Sequence, residues 1–243
     1  MNFVKDYNKT AIIYDGKRIS YSEVIKKSKY FSTLFDIKPQ DKVIIFMENR
    51  PELLYSFLGT WDKRGTCVCL DASFSGEELV YYLNDSDAKF IYTSNGSQKA
   101  VVEGLALSGK TSEVKVINVD EIEVKDIEIK EYILKAPERD DIALMLYTSG
   151  TTGNPKGVML KFDNILVNIE GLDKYKMFIS EDIVLALLPM HHIFPLLGAG
   201  VVPLAKGATI VFLKELSSQA MVEAFKEHRV TMMIGVPRLW EML

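Results

Sequence analysis

The stretch KVIIFMENRPELLYSFLGTWDKRGTCVCL, residues 42–70, decides the fold class of this chain. It begins and ends with nearly all-apolar runs, 42–47 and 66–70. Between them, Asn49 and the proline two residues later predict a helix through LLYSFLGTW, and Gly65 stands where a glycine commonly ends one. Short apolar runs of this kind predict strands covered on both faces, and a helix between two of them predicts a βαβ unit.

Local signals on either side of this stretch mark turns and helix starts. In AIIYDGKRIS, the Asp-Gly pair at 15–16 predicts a hairpin turn. Ser20 with Glu23 has the spacing of a capping box, which predicts a helix from there to about residue 35. Ser75 with Glu78 repeats that spacing ahead of the helical run ELVYYL.

Apolar runs typical of strands recur along the rest of the chain: KFIYTS, VKVINV, IALMLY, VLALLP, ATIVFL and TMMIGV. Their alternation with helices predicts an α/β fold of layered βαβ units, with mostly parallel sheets flanked by helices. We expect two subdomains, residues 1–135 and residues 136–243, the second carrying a glycine-rich loop. Residues 120–132, DEIEVKDIEIKEY, alternate with a period near two and predict an exposed edge strand, compatible with a connector between subdomains.

Composition narrows the class of protein. The chain has 243 residues, 48% of them hydrophobic, which is enough for a sizeable core. A formal net charge of −4 disfavours a nucleic-acid partner, which would call for a basic surface. The N-terminus lacks the apolar core of a signal peptide, and no stretch approaches the roughly 18 apolar residues of an integral membrane segment. These features predict a cytoplasmic protein.

The two cysteines, Cys67 and Cys69, lie in the apolar run TCVCL. On a strand they would point to the same face, where we expect small core side chains. No second pair of ligands accompanies them, which disfavours zinc, and this usage fits a reducing compartment.

The run YTSGTTGNPKG, residues 147–157, follows the apolar strand IALMLY. Its three glycines let the backbone approach a ligand closely, and successive amides in such turns form a concave nest for anions. Hydroxyl donors and a single cation, Lys156, without any acid, suit a polyphosphate. A Walker A loop is excluded because Lys156 is not preceded by glycine and followed by Ser or Thr. The alternative is a surface turn of small polar residues.

The adjacent histidines His191 and His192 leave several interpretations open. They could be a metal pair, a catalytic base or a hydrogen-bonded core pair, and adjacent residues on a strand would point to opposite faces. Metal binding is disfavoured, because only one further histidine, His228, exists and zinc sites need three or four ligands.

Several of these motifs together resemble the AMP-forming adenylate-forming superfamily. YTSGTTGNPKGV resembles its phosphate-loop signature position by position, and the segment 48–94 resembles its early region. LPMHHIFPL resembles its second core motif, and GVPRLWEML resembles a segment of fatty-acyl-CoA synthetases. The resemblance implies an acyl-CoA synthetase or ligase that joins a carboxylic acid to the α-phosphate of ATP and passes the acyl group to CoA or a carrier-protein thiol.

The resemblance also implies roles for particular residues. His192 would border the acyl and ATP pockets and gate them, while His191 occupies the position of a usual aromatic residue. Lys156 would be the counter-charge of the leaving phosphates. The loop residues that would bind the β- and γ-phosphates are Thr148, Ser149, Gly150, Thr151, Thr152 and Gly153.

Other motifs of the superfamily are missing from these 243 residues, among them the Mg²⁺ ligand, which we expect beyond Leu243. The sequence therefore predicts a fragment that is inactive alone, with an exposed apolar face able to self-associate. GVPRLWEML favours a fatty-acyl-like acid. The alternatives are a stand-alone half-domain that binds nucleotide or a partner without catalysis, and a truncated peptide-synthetase or aryl-acid adenylation domain.

Overall fold

The computed structural model describes residues 3–123, 133–148 and 154–237. Within them the strands form two sheets. The strands are β1 (Thr10–Tyr14), β2 (Lys17–Ser20), β3 (Lys42–Phe46), β4 (Thr66–Cys69), β5 (Phe90–Thr93), β6 (Lys115–Asn118), β7 (Ile142–Thr148), β8 (Lys156–Lys161), β9 (Ile183–Ala186), β10 (Thr209–Phe212) and β11 (Met232–Met233). The helices are α1 (Tyr21–Phe31), α2 (Pro51–Asp62), α3 (Gly76–Ser86), α4 (Gln98–Ser108), α5 (Phe162–Lys174), α6 (Ile193–Pro195), α7 (Val202–Lys206) and α8 (Ser218–His228).

Both sheets are mainly parallel. One has the order β6-β5-β3-β4-β7-β8, in which only the β7–β8 pair is antiparallel. The other has the order β11-β9-β10-β1-β2, in which only β1–β2 is antiparallel. The predicted α/β class with mostly parallel sheets is confirmed. Each sheet takes strands from both sides of residue 135, and the division into two subdomains at that point stays a prediction.

The predicted turn and both predicted capping boxes are present. Asp15 and Gly16 take positive φ angles of 50° and 71° between β1 and β2, as a tight hairpin turn requires. Ser20 and Glu23 cap the start of α1 reciprocally, and the Ser75–Glu78 pair does the same for α3. These side chains satisfy amides that the first helical turn leaves unpaired.

Two predicted helix ends were wrong by a few residues. Helix α1 stops at Phe31 rather than near residue 35, because the hydroxyls of Ser32 and Thr33 donate to the carbonyls of Lys29 and Tyr30 and turn the chain.

Helix α2 stops at Asp62, and the left-handed residue after it is Arg64 (φ 61°) rather than Gly65. The glycine is needed for space, since a Cβ there would lie 2.5 Å from Cδ1 of Ile37.

The core of the six-stranded sheet packs against α2. Trp61 is 1% exposed, and its Nε1 donates to the carbonyl of Ala143 on β7. Cys67 and Cys69 are buried on the same face of β4, which confirms the prediction of core cysteines. Burial raises the pKa of both thiols well above its usual range, so neither is a thiolate near neutral pH.

Two predicted segments extend beyond the described residues. Residues 119–121 form a short 3-10 helix, and most of the predicted edge strand, 124–132, lies outside the described residues. The GVPRLWEML segment is described only as far as residue 237. None of the described helices is long and apolar enough to span a membrane. The cytoplasmic location and the self-association stay predictions.

Candidate active site

The glycine-rich loop connects β7 to β8 at the carboxyl end of β7. Thr148, the last residue of β7, pairs with Lys156, the first residue of β8, and both are exposed. The two ends of the predicted phosphate loop are therefore adjacent and open to solvent. The other predicted phosphate-binding residues lie outside the described part of the chain: Ser149, Gly150, Thr151, Thr152 and Gly153.

Helix α3 holds both ends of this loop through hydrogen bonds that sequence analysis missed. The hydroxyl of Tyr81 donates to the carbonyl of Pro155 at 2.6 Å, and the hydroxyl of Tyr147 donates to Oδ2 of Asp85 at 2.7 Å. Burial and the Asp85 carboxylate raise the pKa of Tyr147, which keeps its phenol protonated as a donor. The available signal was the spacing of Tyr81 and Asp85, four residues apart on one helical face.

The two histidines lie in the loop between β9 and α6, not on a strand. The expectation that they point to opposite faces was therefore wrong. Their ring centroids are 4.1 Å apart, and Nε2 of His191 lies 3.0 Å from Nε2 of His192. The irregular backbone lets consecutive side chains turn towards each other, which the period-two geometry of a strand forbids.

Asn49 fixes the loop that carries the histidines. Its Nδ2 donates to the carbonyl of Leu188 at 2.8 Å, and its Oδ1 accepts from the amide of Met190 at 3.0 Å. Asn49 follows β3 of the six-stranded sheet, whereas the histidine loop follows β9 of the other sheet. A single side chain thus connects the carboxyl ends of strands from both sheets.

Asp71 approaches the same histidines from the end of β4. Its Oδ1 accepts from the amide of Ser73 at 2.9 Å and from the Ser73 hydroxyl at 2.8 Å, while its Oδ2 lies 3.6 Å from Nε2 of His191. Burial alone would raise the pKa of Asp71, but the Ser73 hydrogen bonds and the nearby histidines hold it below its usual value. Burial and His192 lower the pKa of His191, against the opposing effect of Asp71.

A cavity of about 300 Å³ brings the loop and the histidines together. Thr148 and Pro155 contribute from the loop, and His191 and His192 contribute from the other sheet. The remaining lining residues come from β4 and α3 and their connection, and from the end of β7: Cys69, Leu70, Asp71, Phe74, Tyr82 and Tyr147. Lys156 is absent from this lining, although its strand partner Thr148 belongs to it.

A second cavity, of about 470 Å³, shares Asp71 and His191 with the first. Its walls are the carboxyl ends of β1, β3, β4, β9 and β10, including Tyr14, Glu48 and Lys214. Ligands of open α/β sheets commonly bind at such strand ends. The Asp71–His191 pair therefore lies in the wall between two cavities at the functional edge of both sheets.

A third cavity, of about 510 Å³, is almost wholly apolar. It begins at Ile193 and Phe194, directly after the histidines, and continues along Leu197 and Gly198 of a π-helical turn, Leu196–Val201. Asn168 on α5 is its amide-bearing residue. A Cβ on Gly198 would clash with Cδ1 of Ile234, so the glycine leaves room for the opposite wall.

Metal-ligand clusters are not found within the described residues, where no group of three or more His, Cys, Asp or Glu side chains is placed to hold an ion. Among the described residues, Asp71 is the carboxylate within ion-pair distance of the His191–His192 pair. The described residues around the two cavities with polar linings offer tyrosine and threonine hydroxyls, the Asn49 amide and carboxylates, with Lys214 in the lining of the second cavity.

The ends of the glycine-rich loop lie beside a histidine pair at the carboxyl ends of two mainly parallel sheets, and this architecture matches the N-terminal domain of adenylate-forming enzymes. The chain belongs to the family of AMP-binding enzymes, whose model matches residues 2–243.

Its curated relatives include acid–CoA ligases with different acids. The chain is 28% identical over 237 residues to 4-coumarate–CoA ligase 3 of Oryza sativa subsp. japonica, covering 91% of this chain and 42% of that protein. It is 26% identical over 268 residues to malonate–CoA ligase of Arabidopsis thaliana, covering 97% and 44%. For 2-succinylbenzoate–CoA ligase of Bacillus subtilis (strain 168) the identity is 27% over 233 residues, covering 93% and 45%. The chain thus spans less than half the length of these relatives.

Solved structures agree with this assignment. The ATP-bound MatB from Rhodopseudomonas palustris superposes with a TM-score of 0.83 at 26% identity, covering 97% of this chain and 48% of that one. MenE, the O-succinylbenzoate coenzyme A synthetase of Bacillus subtilis, in complex with AMP, gives a TM-score of 0.81 at 26% identity, covering 97% and 60%.

Proposed function

We propose that this chain is the phosphate-loop part of an AMP-forming acid–CoA ligase. The observation that carries the proposal is the 300 Å³ cavity, where Thr148 and Pro155 of the loop face His191 and His192. The family membership and the acid–CoA ligases among the relatives support it. Because the chain spans less than half the length of those relatives, the activity is assigned to the whole protein, and we expect none from residues 1–243 alone.

In the first step, a carboxylate oxygen of the acid attacks the α-phosphorus of ATP. The bond between that phosphorus and the oxygen leading to the β-phosphate breaks, and pyrophosphate leaves with the electron pair. A carboxylate is already an anionic nucleophile near neutral pH, so the step requires positioning and charge stabilisation rather than a base. The Thr148 hydroxyl, the loop residues Ser149–Gly153 and the Lys156 ammonium supply donors and positive charge for the leaving phosphates.

In the second step, the sulfur of CoA, after losing its thiol proton to solvent, attacks the acyl carbon of the adenylate; the bond from that carbon to the phosphate oxygen breaks, and AMP leaves with the electron pair as the thioester forms. His192 borders the cavity and is proposed to gate access between the acid and the nucleotide. CoA is favoured as acceptor over a carrier-protein thiol, because each of the three relatives named above is a CoA ligase.

Magnesium is expected to neutralise phosphate charge when ATP binds. At phosphate sites Mg²⁺ commonly uses one or two protein carboxylates; among the described residues Asp71 is the carboxylate that lines the 300 Å³ cavity, and no group of three or more candidate ligands is present there. No step is therefore assigned to the ion through these residues, and its ligand is expected beyond Leu243.

The apolar 510 Å³ cavity is proposed to bind the body of the acid. It starts one residue after His192 and presents aliphatic and aromatic side chains with a single amide. The fatty-acyl preference predicted from GVPRLWEML has no support among the named relatives, which include ligases of an aromatic acid and of a small diacid. An acid with an apolar or aromatic body suits this lining best.

The proposed function is tested by ATP–pyrophosphate exchange in the whole protein, over a panel of aliphatic and aryl acids. The Lys156→Ala variant is expected to lose about 10²–10³-fold of the exchange rate, the usual effect of removing one stabilising donor. Lys174→Ala, which removes an exposed lysine at the end of α5, is the matched control. Exchange that is unchanged in Lys156→Ala would refute the phosphate role. ATP binding without exchange for any acid would favour the stand-alone half-domain instead.

The gating and the acid cavity have tests of their own. His192→Ala should alter the acyl-substrate kinetics, and intact kinetics for every acid would exclude the gate. Gly198→Ala should reduce kcat/KM for the bulkiest accepted acid more than for the smallest one, because its Cβ must displace Ile234 into the cavity. Gly171→Ala is the control, since a Cβ there meets open space.

A further inference from the structure

Three side chains form a line of contacts in the wall between the 300 Å³ and 470 Å³ cavities. Asp71 holds Ser73 with Oδ1 and directs Oδ2 towards Nε2 of His191, at 3.6 Å. The same Nε2 lies 3.0 Å from Nε2 of His192. The two nitrogens are within hydrogen-bond distance, and one of them also faces a carboxylate.

A hydrogen bond between two imidazole nitrogens requires one proton between them. Two lone pairs facing each other at 3.0 Å would repel, and two N–H groups would clash, so only one of the two Nε2 atoms carries hydrogen in the neutral pair. Without further interactions, either histidine could be the donor. A negative carboxylate oxygen beside Nε2 of His191 stabilises the positive end of an N–H bond at that atom.

We propose that Asp71 is a positioning residue that fixes the proton arrangement of the histidine pair. His191 carries its proton on Nε2 and donates it to Nε2 of His192, and His192 carries its own proton on Nδ1. Asp71 also favours the protonated, cationic form of the pair, since an opposite charge stabilises it. The tautomer assignment is argued from the geometry alone. Its link to gating of the acyl and ATP pockets by His192 rests on the proposed function.

Other ionisable groups around the pair are less directly placed. Those that line the shared cavities with the histidines are Cys69, Tyr82 and Tyr147 on the side of the loop, and Tyr14, Glu48 and Lys214 on the other side. The tyrosines are neutral near pH 7, since burial raises the pKa of each of them. Asp71 is the carboxylate in ion-pair distance of the pair.

Histidine side-chain NMR tests the proposal on the 243-residue chain itself. The sequence contains three histidines, so a long-range ¹H–¹⁵N spectrum is simple, and His228→Gln assigns the third signal. Protonated and unprotonated ring nitrogens differ widely in ¹⁵N shift. At a pH where all three rings are neutral, we expect Nε2 of His191 to be protonated and Nε2 of His192 to be unprotonated.

The Asp71→Asn variant removes the charge from Asp71 and keeps its size. We expect the single tautomer of His192 to become a mixture and the titration midpoint of His191 to fall, because an opposite charge nearby favours the protonated form. Glu77→Gln is the control, since it removes an exposed charge in the first turn of α3 and should change neither quantity. Tautomers and midpoints equal to those of the unsubstituted chain in Asp71→Asn would overturn the proposal.

Asp71→Asn could perturb the fold, which would appear as changes throughout the backbone amide spectrum. A second variant tests the proposal in that case. His191→Phe keeps an aromatic ring and removes the proposed donor. His192 should then lose its single tautomer although Asp71 is intact. If the His192 ring signals are the same in His191→Phe as in the unsubstituted chain, Asp71 does not set the His192 tautomer through His191, and the proposal fails. These readouts do not depend on ligase activity, so their failure is distinguishable from failure of the proposed function.

Discussion

The two cysteines of β4 and the two histidines of the β9–α6 loop are both close pairs of chemically active side chains. Cys67 and Cys69 are 0% and 4% exposed, and burial raises the pKa of both thiols. His191 and His192 are partly exposed and in contact, with 3.0 Å between their Nε2 atoms. The first pair is part of the core, and the second pair forms the wall of a cavity.

The two pairs differ in the backbone that carries them: a strand for the cysteines and a loop for the histidines. A strand places residues i and i+2 on one face, so the positions of the cysteines follow from their spacing. The histidines depend on a loop held by Asn49 and on a carboxylate, Asp71, from another strand end. Side-chain positions on a regular strand can be predicted from the sequence spacing. Side-chain positions on a loop depend on contacts with residues that are distant in sequence.

The largest effect should come from the core beneath the cysteine pair. Trp61→Ala removes a 1%-exposed ring and its hydrogen bond to the Ala143 carbonyl, and we expect a loss of about 3–5 kcal/mol in the free energy of unfolding. Urea unfolding measures it. Leu107→Ala, at a position 58% exposed, is the control and should change it by less than about 0.5 kcal/mol. Similar stability in the two variants would mean that the core is not packed as described.

The two cysteines should differ in how much a Cys→Ser substitution lowers the free energy of unfolding. Cys67→Ser buries a hydroxyl at a 0%-exposed position, where the Phe57 carbonyl lies 3.9 Å from Sγ, and should cost about 1–3 kcal/mol in urea unfolding. Cys69→Ser should cost less, because Cys69 borders the 300 Å³ cavity, where its hydroxyl can meet water. The reverse order would contradict the assignment of Cys67 to the sealed core.

The position of the histidine pair should depend on Asn49, because Asn49 holds the loop that carries both histidines. Asn49→Ala leaves the Leu188 carbonyl and the Met190 amide without their partner, and we expect a loss of about 1–2 kcal/mol in urea unfolding, from two net hydrogen bonds. Asn49→Asp keeps the acceptor for Met190 but sets a carboxylate oxygen against the Leu188 carbonyl, where two acceptors repel, so it should also lose stability. Equal stability of all three proteins would remove Asn49 as the tether of the loop.

The smallest effect should come from a carboxylate of the structural frame, Asp141. It accepts two hydrogen bonds from Arg64, at 2.8 and 2.9 Å, and these lower its pKa. A carboxyl with a lowered folded-state pKa stabilises the fold above its unfolded-state pKa and loses that contribution as pH falls through the folded-state value.

The contribution should be the smallest of those predicted here, because Arg64 is 37% exposed and water screens the pair. Melting temperatures between pH 7 and pH 3 measure it. Asp141→Asn should be less stable than the unsubstituted chain at pH 7 and should lose less on acidification, and an identical pH dependence of the two proteins would exclude this pair as its source.

Much of the fold was predictable because its signals are local. Each of these signals involves residues only a few positions apart in the chain: the apolar runs at 42–47 and 66–70, the Asp-Gly turn, and both capping boxes. The exact end of α1 was missed because hydroxyls of Ser32 and Thr33 compete for its last carbonyls. The pairing of β1 with β10, nearly 200 residues later in the chain, had no sequence signal at all.

The candidate site was predictable only in part. Its loop and histidines were found from composition, spacing and resemblance to a family. Asn49, Asp71, Tyr81 and Asp85 were missed, because each acts on a residue distant in sequence. Polar residues directly after strands, as Asn49 and Asp71 are, were the available signal, since those ends of parallel strands meet at one edge.

The sequence by itself determined the α/β class, the starts of α1, α2 and α3 and the core position of the cysteines, whereas the phosphate-binding role of the loop at 147–157 stays a prediction. Those properties follow from side-chain periodicity and from hydrogen bonds between near neighbours. Only the tertiary structure decided that Thr148, Pro155, His191 and His192 share one cavity, and that Asp71 faces the histidine pair. Such contacts depend on how two sheets place their strand ends against each other, which no local pattern specifies.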